Sequence, residues 1–222
     1  MGSCLARSPV TALQLQVQVL ERSRDPDERS IATAELATGI ARTRRLIEQL
    51  LYLSRASADE GGAGAFDPQP VDLMQLVRDV VTRWASEAER RAIDLGADVL
   101  PVPMIQGDAA QLEILLGNLV ENALRYTHRD GLVDVIAMSM DGTPVLRVID
   151  TGPGIDPGER ERVFDRFYRS PGAVASEETG SGLGLSIVQS VARRHGAVVS
   201  LHSGRDGVGL EVRVAFANSS IT

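Results

Sequence analysis

The hydrophobic period of this chain changes across one stretch, "SADEGGAGAFDPQP" at residues 57–70, which has no period of its own. That change restricts the chain to two units built on different plans. Before it, Val10, Leu13, Val17 and Leu20 recur at three-then-four spacing, the seam of a helix that packs against other helices. "RSRDPDE" interrupts the pattern with Pro26 and charge. Leu36, Ile40, Ile47 and Leu51, widened by Leu46, Leu50 and Leu53, then predict a second, longer amphipathic helix. A hairpin of this size cannot bury both of its apolar faces alone, so a homodimer that closes a four-helix bundle is expected. The reading divides the chain into a helical hairpin at 1–58, a linker at 59–70 and a second unit at 71–218.

Beyond the linker, helical patterns at about 72–90, 109–126 and 183–195 alternate with short Val-rich runs near 92–95, 102–106, 132–138, 145–149, 197–203 and 209–216. The runs on either side of "MDGTP", and those on either side of "GRDGVG", read as antiparallel hairpins. The class expected is α+β: a helical hairpin followed by an α/β sandwich, one sheet with its helices on one face.

Composition excludes several functions. A formal net charge of -7 over 222 residues argues against a general affinity for nucleic acid. The single cysteine, Cys4, rules out an internal disulfide and a cysteine-built metal site, and it suits a reducing, cytoplasmic setting. No run approaches the roughly 18 apolar residues a membrane span needs.

The chemistry concentrates in three places. In "QLEILLGNLVENALRYT" the helical period gathers Leu112, Leu115, Leu116, Leu119 and Ala123 on one side, and Asn118, Asn122 and Arg125 on the other. Amide oxygens can ligate a hard cation such as Mg²⁺, and a guanidinium can meet the phosphate that the cation bridges; a solvated polar face is the plainer alternative. "VIDTGPGID" ends a strand at Asp150 and turns through Gly152 and Gly154. A carboxylate placed there can accept a hydrogen bond from an exocyclic amine, or can simply close a strand before an ordinary turn. "TGSGLGLSIVQSVARRHG" sets Gly180, Gly182 and Gly184 at the start of a helix, where bare backbone N–H groups favour anions, although its spacing fits neither the dinucleotide fingerprint nor the Walker loop. Between the last two, "ERVFDRFYRSPGAVASEETG" carries Phe164 and Phe167 into an aperiodic stretch that reads as a lid.

Taken in order, "NLVENALRYT", "DTGPGI", "FDRFYR" and "GSGLGLSIV" closely resemble the N, G1, F and G2 boxes of the sensor histidine kinases of two-component systems. The resemblance covers about residues 5–217. It implies the ATP-binding fold shared with gyrase-type ATPases and Hsp90 chaperones, with ATP and Mg²⁺ as cofactors. On that match Asn118 and Asn122 serve Mg²⁺ and phosphate, Arg125 phosphate, Tyr126 the nucleotide, and Asp150 the adenine amine. Gly152 and Gly154 shape the turn beside the base, while Gly180, Gly182, Leu183 and Gly184 surround the triphosphate. Members of the superfamily that split water carry Glu where this chain has Asn118, so transfer to a protein acceptor is expected over hydrolysis.

In the family the first helix opens with His-Glu-Leu-Arg-Ser/Thr-Pro-Leu. Aligned on Arg7, Ser8 and Pro9, that pattern puts Cys4 at the phosphoacceptor His and Leu5 at the neighbouring Glu. Neither can play its part, so ATP binding without autophosphorylation is expected. His128, His195 and His202 read as structural, His195 as part of a surface turn. A longer membrane sensor cut within its first helix, whose cytoplasmic portion phosphorylates its own His and passes the group to the receiver domain of a response regulator, is favoured over a degenerate kinase that binds ATP without passing the phosphoryl group on. A non-enzymatic ATP-binding dimer scaffold that docks the regulator is the alternative.

Overall fold

The computed structural model describes residues 9–23, 25–37, 39, 40, 43, 68–170 and 181–217. The chain divides into two compact units, Met1–Ala58 and Asp59–Thr222. In the first, helix α1 (Pro9–Arg22) starts on a proline, whose missing N–H costs nothing in a first turn. Residues 26–37 form α2, with further helical residues at 39, 40 and 43. Ala32 is buried, but Val17, Val19, Ile31 and Ile40 remain exposed.

The second unit is a two-layer sandwich. Its strands are β1 (Gln69–Val71), β2 (Asp94–Val99), β3 (Ile105–Gly107), β4 (Leu132–Met140), β5 (Thr143–Asp150), β6 (Val198–Ser203) and β7 (Leu210–Ala215). Its helices are α3 (Leu73–Arg91), α4 (Ala109–Tyr126) and α5 (Gly184–Arg194). The main sheet runs β2-β4-β5-β7-β6, and β1 pairs with β3 apart from it.

The β4–β5 and β6–β7 pairs are antiparallel, as the turns around them suggest. Asp141 and Gly142 both adopt positive φ, 50° and 80°, the conformation that a two-residue hairpin requires. β2 instead lies parallel to β4, pairing Leu95 with Val133 and Ala97 with Val135. It extends to Val99, beyond the short run expected at 92–95, because its polar and glycine positions take ladder hydrogen bonds without contributing to the apolar pattern. Gln69 and Pro70, the last residues read as linker, begin β1, where hydrogen bonding to one neighbour tolerates a proline.

Alternation divides the sheet's faces. Val133, Val135, Ala137, Leu146, Val148, Val212 and Val214 are buried and share one face by their cross-strand pairing. The helices cover that face, with α3 against β2 and β4, α4 against β4 and β5, and α5 against β6. Helix α4 lies between α3 and α5, so its burial extends beyond the expected stripe to Val120 and Leu124. On the other face Arg147 pairs across the strands with Arg213, and Glu211 binds both.

Candidate functional site

Asp150 is the last residue of β5 and is buried. Its Oδ1 accepts two backbone hydrogen bonds, from Gly152 N at 2.8 Å and from Leu210 N at 3.2 Å. Among the described residues its Oδ2 has no hydrogen-bond partner, so the carboxylate is fixed through one oxygen and presents the other. Burial pushes its pKa up, and the two backbone hydrogen bonds pull against that shift.

The backbone around Asp150 is tight. A Cβ on Gly152 would lie 2.8 Å from the carbonyl oxygen of Tyr126 and 3.0 Å from Asp150 Oδ1, so the turn presses against both the end of α4 and the carboxylate. Gly154 holds φ at 73° beneath the Gly209 carbonyl.

Asn118 and Asn122 lie one turn apart on α4 and face the start of α5. A Cβ on Gly184 would lie 3.1 and 3.3 Å from the amide atoms of Asn122 and 3.4 Å from Asn118 Oδ1. Asn118 donates from Nδ2 to the Ile114 carbonyl at 2.7 Å, which turns its oxygen toward α5. At Asn118 the stripe is not a solvated face: that residue is only 8% exposed, while Asn122 and Arg125 are half-buried. Arg125, on the same stripe, holds Glu121 at 2.6 Å.

The three long helices of this unit start differently. Asp72 and Asp108 cap α3 and α4, each side chain accepting from two first-turn N–H groups. Helix α5 has Leu183 at its cap position and no side-chain cap; Leu183 N donates to Ser181 Oγ at 3.3 Å, and among the described residues the first-turn N–H groups that follow meet no side-chain acceptor. Gly182, at φ 69°, supplies the carbonyl that accepts from Phe167 N at 2.9 Å, which fastens the start of the expected lid to this loop.

Residues 107–219 match the family described as histidine kinase-, DNA gyrase B- and HSP90-like ATPases. The chain belongs to this family, as a two-component sensor histidine kinase. It is 37% identical over 208 residues to sensor protein kinase PmrB of Pseudomonas aeruginosa, covering 94% of this chain and 42% of that protein. It is 37% identical over 212 residues to sensor protein QseC of Escherichia coli (strain K12), covering 95% and 45%. Among solved structures, full-length ShkA in complex with AMPPNP superimposes with a TM-score of 0.70 at 29% identity, over 92% of this chain and 42% of that one. The kinase core described here thus spans less than half the length of these relatives. Its catalytic fold implies the use of ATP.

The residues expected at the site fall into two groups. Asp150, Gly152, Gly154 and the end of α4 at Tyr126 form one; Asn118, Asn122, Gly182, Leu183 and Gly184 form the other, with Arg125 on the same helix stripe as the two amides. Gly180, Cys4, Leu5 and most of the expected lid lie outside the described residues. A cleft of about 610 Å³ lies elsewhere, lined by Val71, Asp72, Leu76, Arg83 and Glu113 among others, and holds none of these residues.

Sequence reasoning missed Gly209 and Leu210. A Cβ on Gly209 would lie 1.8 Å from the Asp150 carbonyl oxygen, so the β6–β7 turn crosses directly over the end of β5. The signal was present in "GRDGVG", whose three glycines exceed what a tight hairpin needs. His195 is also no mere surface turn: it is half-buried, and both of its ring nitrogens are engaged.

Proposed function

We propose that this chain binds ATP with Mg²⁺ in the space bounded by the end of β5, the Asn118–Asn122 stripe and the start of α5. The observation that carries the reading is the cradle at Gly184, where any side chain would press on both asparagine amides. Asp150 Oδ2 accepts from the adenine amine, and Gly152 and Gly154 leave the turn beside the base bare. Tyr126 borders the nucleotide. Asn118 and Asn122 offer amide oxygens to the cation. Arg125 exchanges Glu121 for a phosphate oxygen. Gly180, Gly182, Leu183 and Gly184 meet the remaining phosphate oxygens with backbone N–H groups.

The donor set suits Mg²⁺, which binds few protein ligands and completes its shell with phosphate and water. Bound there, the cation neutralises charge that develops on the transferring phosphoryl group. Asn118 stands where a water-activating carboxylate would be needed. The protein groups therefore orient and screen the triphosphate without activating water, which favours transfer to a protein acceptor over hydrolysis.

The unit at 71–218 acts as the catalytic domain, reached through a linker at 59–70 from a dimerising hairpin at 1–58. A whole protein of this kind is anchored in a membrane, phosphorylates a His on the hairpin and passes the group to an Asp of a response regulator. This chain, with Cys4 and Leu5 at the acceptor positions, binds nucleotide and does not autophosphorylate. Those same two residues favour the second reading, a dimeric ATP-binding scaffold for the regulator.

Calorimetry with AMPPNP and Mg²⁺ tests the site. Binding that weakens when EDTA removes the metal is expected, and no heat of binding would sink the reading. Incubation with γ-labelled ATP tests the chemistry: acid-labile label on His128, His195 or His202 would contradict the absence of autophosphorylation.

A further inference from the structure

Helices α4 and α5 pack side by side in opposite chain directions. The start of α5, at Gly184, meets Asn118 and Asn122 in the middle of α4. Its far end, at His195, meets Asp108, the residue that caps α4. Leu112, Leu115, Leu116 and Leu119 of α4 and Ile187, Val188 and Val191 of α5 are fully buried in this helical layer. Apolar contacts are non-directional, so their interdigitation sets the axial register of two helices less sharply than a hydrogen bond does.

The contact at His195 is directional. Its Nε2 lies 3.0 Å from the backbone N of Asp108, and its Nδ1 lies 2.8 Å from the Val191 carbonyl oxygen. A backbone N–H only donates and a carbonyl only accepts, so the two contacts together assign the proton to Nδ1 and leave Nε2 bare. The ring is held at both nitrogens. It also occupies the space over Gly107, where a Cβ would come within 2.8 Å of His195 Cδ2. Asp108 in turn accepts from the N–H groups of Ala110 and Gln111, so His195 grips the residue on which α4 begins.

We propose that His195 is a positioning residue for the triphosphate end of the site, setting the axial register of α5 against α4. At about 1.5 Å per residue, Asp108 to Asn118 spans about 15 Å and Gly184 to His195 about 16 Å, so the latch and the glycine cradle close opposite ends of matched segments. A slip of one residue would move Gly184 by about 1.5 Å relative to both asparagines, enough to spoil the placement of a phosphate between them. The proposal rests on the nucleotide reading given above.

The test uses the full chain with His195→Asn and His195→Gln. Gln carries its Oε1 to about the position of Nε2 and keeps the acceptor for Asp108 N–H. Asn stops at the level of Nδ1 and reaches only Val191. Affinities for Mg-ATP and for adenosine are measured on each, because adenosine engages the Asp150 end alone. His195→Asn is expected to weaken Mg-ATP about tenfold, to leave adenosine within about twofold, and to be rescued by Gln. Equal loss for both ligands, no loss for either, or failure of Gln to rescue would overturn the latch.

Should His195→Asn fail to fold, the Gln variant and the nitrogen NMR spectrum of the wild-type ring decide. A neutral ring protonated at Nδ1 and normal Mg-ATP affinity in His195→Gln support the proposal; a proton on Nε2, or weakened Mg-ATP binding in His195→Gln, refutes it. A wild-type chain that binds neither ligand removes the nucleotide reading and this proposal together. A change in the Mg-ATP to adenosine ratio other than that expected removes only the latch.

Discussion

Two backbone amides converge on Asp150 Oδ1 and leave Oδ2 toward the site, so the orientation of the carboxylate is decided by the chain around it. In Asp150→Asn the oxygen must stay with Gly152 and Leu210, which puts the NH₂ where Oδ2 stood, donor against the adenine amine. The variant is expected to fold with stability at or above wild type and to lose about 10- to 100-fold in nucleotide affinity by calorimetry. The pH dependence has a defined sign. Burial raises the folded-state pKa of Asp150 above 3.8, so the proton binds the folded state more readily. On the proposed reading, nucleotide affinity is expected to weaken in calorimetry as pH falls through that raised value, while the penalty of the buried charge eases. Glu211 behaves oppositely. Burial pushes its carboxyl up, but hydrogen bonds from Arg213 and Arg147 outweigh it and bring the pKa from 4.5 to about 2. The stability it adds is fully present above 4.5 and is lost as pH falls toward about 2. Glu211→Gln leaves two arginines facing each other and is expected to cost about 2 kcal/mol in urea denaturation at neutral pH, with the difference from wild type shrinking in acid.

Helix starts separate scaffold from site. Asp72 and Asp108 each satisfy two first-turn N–H groups, whereas α5 begins on glycine with no side-chain cap. Asp72→Ala is expected to lower unfolding stability by about 1 kcal/mol and to leave nucleotide affinity unchanged, measured by denaturation and titration on the same sample. The helices of this unit and the two hairpins were legible because their apolar periods are long or their turns carry glycine. β2 was only partly legible: Asp94, Gly96 and Asp98 give no apolar signal, and only the parallel ladder to β4 makes that stretch a strand. The asparagine stripe was legible as a group but not as buried, because burial there comes from α5 arriving more than sixty residues later.

In the first unit taken alone, Val17, Val19, Ile31 and Ile40 expose apolar surface that two helices cannot cover. A dimer that dissociates on dilution is expected in sedimentation. Val19→Asp with Ile31→Asp should shift it to monomer while nucleotide affinity per chain stays the same; monomer at every concentration in the wild type would contradict the bundle. Among the described residues no helix is long and apolar enough to cross a membrane.

Period and turn chemistry determined by themselves the α+β class, because they depend on residue types at short spacing, and the order of the asparagine and glycine motifs carried the resemblance to the kinase family. What only the tertiary structure decided is which backbone groups meet across long gaps in sequence. Leu210 N reaches Asp150, Gly209 passes over its carbonyl, and His195 holds Asp108. Hydrogen bonds act over about 3 Å, and no local pattern records which distant amide will come that close.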